Sequence, residues 1–158
     1  MRKFLLIIIA IFLTKCGSTE LVFPVEPHIE FLYTDKDTIK EPLDFTNLTE
    51  NNKLRLTISF QDGDGDLGSS GNNDYNFFVY DVRDSVPVDT FAYSLPNLTQ
   101  EAQKPSIKGT ITVEISGLLM RSGYMQYDST VLQVEMIDRE GHKSNLVSSG
   151  KIIILPAQ

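Results

Sequence analysis

The stretch Leu54-Arg55-Leu56-Thr57-Ile58-Ser59-Phe60-Gln61 decides the fold. Leu54, Leu56, Ile58 and Phe60 alternate with Arg55, Thr57, Ser59 and Gln61, the period of two that gives a strand one buried and one wet face. The chain then enters Asp62-Gly63-Asp64-Gly65-Asp66-Leu67-Gly68 and, after Ser69 to Asp74, a second strand over Tyr75 to Val82 that carries Phe77, Phe78, Val79 and Tyr80. Two strands joined by an acidic, glycine-rich loop are the centre around which the rest packs.

Working outward, the same alternation recurs in short runs. His28 to Tyr33 sets Ile29, Phe31 and Tyr33 against polar neighbours, and Ile107, Ile111, Val113 and Ile115 mark a strand with Gly109 as a candidate bulge. Val131 to Asp138 and Lys143 to Leu155 form a closing hairpin around the turn Arg139-Glu140-Gly141-His142. Val86, Val88, Phe91 and Tyr93 make a short edge strand interrupted by Pro87. Thr34 to Asn52 and Gly117 to Asp128 are long connections, the first with room for an extra short strand. About seven short strands with turn signals between them, and no amphipathic helix, predict an all-β immunoglobulin-like or fibronectin-III-like β-sandwich over residues 28–158. An up-and-down barrel is the competing architecture.

Ahead of this domain, Met1-Arg2-Lys3 precedes the apolar run Phe4 to Leu13, the layout of a secretory signal peptide over residues 1–15. The run falls short of the roughly 20 residues a membrane span needs. Leu13-Thr14-Lys15-Cys16 resembles the lipobox of bacterial lipoproteins, with Lys15 where a small residue is usual. The resemblance implies that the only cysteine, Cys16, becomes the lipidated first residue of the mature chain; a plain secreted protein is the alternative. Residues 16–27 are then a tether that Pro24 and Pro27 keep extended, reaching roughly 35 Å at about 3.3 Å per residue. Loss of Arg2, Lys3 and Lys15 moves the formal charge from -7 to -10, which argues against nucleic acid as a partner.

Ser59 to Gly68, taken with Ile137-Asp138-Arg139-Glu140-Gly141-His142-Lys143-Ser144-Asn145, resembles the small immunoglobulin-like lipoproteins of Bacteroidota, whose last hairpin also runs Asp, a few residues, Gly, then Lys-Ser-Asn. The resemblance implies the fold and an outer-membrane, lipid-anchored location, and little about activity.

Asp62, Asp64 and Asp66 alternate with glycines that let the backbone curl, so three carboxylates can converge on one point, a donor set that suits Ca²⁺. Asn72, Asn73 or Asp74 can complete the shell, as can Asp138, because the sandwich brings that turn to the same pole. The loop is not an EF-hand, since Leu67 stands where that loop needs glycine and no glutamate closes it. The plainer reading is that Asp and Gly are good turn formers. Rigidity decides between them, because three carboxylates about 5 Å apart repel by roughly 1 kcal/mol per pair even in a water-like dielectric.

His28 and His142 are the only histidines and neither lies in a zinc or nucleophile motif, so the chain reads as a non-enzyme. The expected role is an accessory or structural module of the cell envelope that meets a protein partner through the two long connections, at the pole away from the membrane. Leu118, Leu119, Met120 and Met125 would give that pole a flat apolar patch, with Tyr124 beside it. A glycan-binding module is the alternative, with Tyr124, Tyr127, Tyr93 and Phe91 serving where tryptophan is absent.

Overall fold

The computed structural model describes residues 23–69, 71, 74–98, 106–124 and 126–157. The stretch predicted as a signal peptide, Cys16, Asn72, Asn73 and Met125 lie outside these residues. Eight strands follow one another: β1 His28–Thr34, β2 Thr38–Lys40, β3 Lys53–Asp62, β4 Phe77–Arg83, β5 Val86–Tyr93, β6 Ile107–Ser116, β7 Asp128–Met136 and β8 Val147–Leu155. They form a three-stranded sheet in the order β1-β3-β6 and a five-stranded sheet in the order β2-β8-β7-β4-β5. The extra strand is β2, which uses three residues of the first long connection and pairs parallel to β8.

The two sheets face each other across the core that the alternation specifies. Leu54, Leu56 and Ile58 of β3 meet Phe77 and Val79 of β4, Leu132, Val134 and Met136 of β7, and Ile152 and Ile154 of β8. Each such side chain, fully buried, stabilises the fold by about 1.5–3 kcal/mol. Phe91 and Tyr93 of β5 pack on the rim of this core, and the Tyr93 ring meets Phe77 edge-on at 6.1 Å between centroids. The Tyr93 hydroxyl donates across to the Glu114 carbonyl of β6 at 3.0 Å, joining the two sheets at their open side.

Gly109 is not a bulge. It pairs in register with Phe60 in an unbroken β3–β6 ladder, and a Cβ there would lie 3.0 Å from the Phe60 ring. The missing side chain makes room for the aromatic ring opposite. Residues 143–146 likewise stand outside the last strand. Asn145 spends its side chain on β1 instead, accepting from Ile29 N and donating to Ile29 O, both at 2.8 Å, so it replaces a strand neighbour with a side-chain amide.

Candidate metal centre

β3 carries Asp62 as its last residue, on the inward parity of the strand, where it is fully buried. The loop then turns back on itself: the Asp62 Oδ2 accepts from Asp66 N at 2.8 Å, and Gly65 takes a positive φ of 69° that permits the tight turn. As a result one carboxylate oxygen each from Asp62, Asp64 and Asp66 lies within 4.8 Å of the others. This buried cluster can hold a metal ion. Asp62 Oδ1 has no hydrogen-bond partner, although the side chain is removed from solvent. Burial pushes the Asp62 carboxyl above its ordinary range, and the charges of Asp64 and Asp138 push it further, against the N–H groups of Asp66 and Leu67.

The loop is held from several sides, which answers the question of rigidity. Leu67 is a fully buried core residue, so the position that departs from the EF-hand pattern is the plug that fixes the loop to the sandwich. Ser69 N donates to Leu95 O at 2.8 Å and Leu98 N to Leu67 O at 3.3 Å. Gly68, at φ 95°, lies so close to the Pro96 carbonyl that a Cβ would sit 2.1 Å from its oxygen. From the β7–β8 turn, Arg139 N donates to Asp66 O at 3.4 Å. On the remaining side runs the segment that leads into β1: a Cβ on Gly63 would lie 2.2 Å from Phe23 O and 2.4 Å from Pro24 O. These contacts fix the path of the loop on each side of its three carboxylates.

The other two described candidates stay outside the cluster. Asp138 lies close enough for its charge to act on Asp62, but its oxygens accept from the His142 N–H and meet His142 Nδ1, both at 2.8 Å, and so close the turn. Asp74 is exposed and accepts a long hydrogen bond, 3.4 Å, from the Ser69 hydroxyl.

At the opposite pole the structure holds a site that strand alternation announces and strand boundaries conceal. Asp81 and Arg83 continue the inward parity of Phe77 and Val79, and Asp128 and Thr130 that of Leu132 and Val134. All four are buried. Arg83 pairs with Asp81 at 2.6 Å, reaches Asp128, and donates to Leu119 O at 2.7 Å. Arg121 also binds Asp128, at 2.9 Å, pairs with Asp84, and stacks on the Tyr124 ring at 4.6 Å. Burial alone would raise the Asp128 carboxyl; the Arg121 side chain and N–H, the Ser129 N–H and the Arg83 charge overcome it and hold Asp128 well below the usual carboxylate range.

This network changes what the pole offers a partner. Leu118 is 1% exposed and belongs to the core, so it does not contribute to a surface patch. Met120 is half-buried, with its N–H donated to Glu41 at 3.1 Å. Leu119 and Tyr124 remain exposed, together with Leu43 and Phe45 of the β2–β3 connection, and the Phe45 ring lies directly on Gly117. Among the described residues no helix is long and apolar enough to cross a membrane. The chain matches no protein-family model, no curated protein and no solved structure, so its own residues carry the functional reading.

Proposed function

We propose that this chain is a non-catalytic binding or structural module of the bacterial cell envelope, held at the outer membrane by lipid on Cys16 and stiffened by Ca²⁺ at Asp62, Asp64 and Asp66. One observation carries the reading: the two ends of the sandwich differ. The chain enters β1 at the pole with the acidic loop, while the β2–β3 and β6–β7 connections, with exposed Leu43, Phe45, Leu119 and Tyr124, lie at the other. An anchor at one end leaves the other end free for a partner. The sheet orders β1-β3-β6 and β2-β8-β7-β4-β5 support an immunoglobulin-like class for the sandwich. All-oxygen donors in a glycine-turned loop support Ca²⁺ over softer metals.

Tagged full-length protein, expressed with labelled palmitate and recovered from detergent-solubilised membranes, tests the anchor and the partner together. The expected result is label on the chain, lost in Cys16→Ala, and a stoichiometric membrane protein in the mass spectrum of the purified fraction. An unmodified Cys16 in a soluble fraction rejects the anchor, and recovery of the lipoprotein alone rejects the accessory role. For the metal, a melting temperature that is the same in millimolar Ca²⁺ and in chelator rejects calcium.

A further inference from the structure

The three-aspartate loop does more than face the tether segment; it is pressed against it. Between Asp62 and Asp64 the chain has glycine, and over that glycine lie the main-chain oxygens of Phe23 and Pro24, closer than any Cβ could tolerate. A few residues on, the path of the chain is fixed: Pro27 is buried, and Asn145 grips both main-chain groups of Ile29. Glu26 lies close enough to His142 for its charge to be felt there. The segment 23–29 therefore runs in a defined track past the acidic loop and the β7–β8 turn.

The chemistry of the loop asks for such neighbours. Three carboxylates are too few for Ca²⁺, which takes six to eight oxygens and readily recruits main-chain carbonyls. Asp62 Oδ1 is buried and without a hydrogen-bond partner, so this carboxylate keeps an oxygen to give an ion. Two carbonyl oxygens packed on the residue between two carboxylates are donors of the required kind. Resting on the calcium reading above, we infer that Phe23 and Pro24 belong to the cation site through their carbonyls, so that the ion clasps the tether to the sandwich. Without the ion, the three carboxylates repel one another, and the track loosens.

The test uses the mature chain, Cys16 to Gln158, in detergent, with CaCl₂ alone as the probe, titrated by calorimetry and followed by hydrogen exchange at the Phe23, Val25 and Glu26 amides. The expected result is measurable binding and exchange at these amides slowed about tenfold by millimolar Ca²⁺. Gly63→Ala, which keeps every carboxylate but drives a methyl into the two carbonyls, is expected to weaken Ca²⁺ binding by about tenfold and to abolish the slowing. Should that variant fail to fold, a chain beginning at Val25, which retains all eight strands, must show the same loss of affinity. Calcium bound with unchanged affinity by these variants, or amides indifferent to calcium, overturns the clasp while leaving the cation site intact. Absence of calcium binding to the mature chain removes the cation site and the clasp together.

Discussion

Asp62 and Asp128 are both buried carboxylates, and their surroundings make them opposites. Asp62 has like charges for neighbours and one oxygen without a hydrogen bond, surroundings that disfavour its charged form. Asp62→Asn keeps an acceptor for Asp66 N and removes a charge; the melting temperature in chelator is expected to hold or rise, while the calcium-dependent increment disappears. Asp128 is braced by two arginines. Asp128→Asn leaves Arg83 and Arg121 short of a buried counter-charge and is expected to cost about 3 kcal/mol, roughly 10 °C in melting temperature. The pH dependence follows in sign. Because the folded-state pKa of Asp128 is depressed, its contribution is complete above the unfolded value of about 3.9 and is lost as pH falls through the folded one. Urea midpoints measured across acid pH should fall more steeply for the native chain than for Asp128→Asn.

The strand elements carry their own tests. The β4–β5 hairpin turns on two residues, Asp84 and Ser85, with φ of 51° and 67°, the left-handed values of a tight turn that Asn-Gly normally supplies. Ser85→Gly is expected to stabilise by about 0.5–1 kcal/mol, read as a higher urea midpoint at unchanged slope. Tyr93→Phe breaks the hydrogen bond from β5 to the Glu114 carbonyl of β6 and is expected to cost about 1 kcal/mol. Burial, then the Glu114 charge, pushes the Tyr93 hydroxyl up to about 12, so in the native chain this group holds full stability below the unfolded value of about 10 and loses it as pH rises toward 12. The same elements show what could be read in advance. Alternation at Leu54 to Gln61 located β3, because one buried face leaves no freedom of register. The turn at Asp84-Ser85 was not legible, since Asp tolerates positive φ but Ser85 stands where a tight turn normally has glycine. The ionic layer was missed because β4 runs on to Arg83 and β7 starts at Asp128, each beyond the apolar residues that mark the strand. The three aspartates of the loop were legible from spacing alone; the hold of Leu67, Pro96 and Phe23 upon them is tertiary and no local pattern carries it.

For the whole molecule, calcium should act as a ligand of the folded state only. With a dissociation constant near 0.1 mM, as in extracellular modules, ~10 mM Ca²⁺ would add about 2.7 kcal/mol, several degrees in melting temperature, and the increment should grow with the logarithm of concentration. A shift that ignores concentration would argue against linkage.

The direction in which β1 leaves the sandwich also decides how the protein bears load. β1 begins at the acidic pole and runs antiparallel along β3 toward the far one. If the tether is pulled while a partner holds the far pole, tension runs along the strand axis, across the ladder of hydrogen bonds. The bonds from His28 to Thr34 are then strained in shear, all at once, rather than peeled apart singly from one end. An edge strand thus becomes the part of the domain best oriented to resist being torn from its moorings.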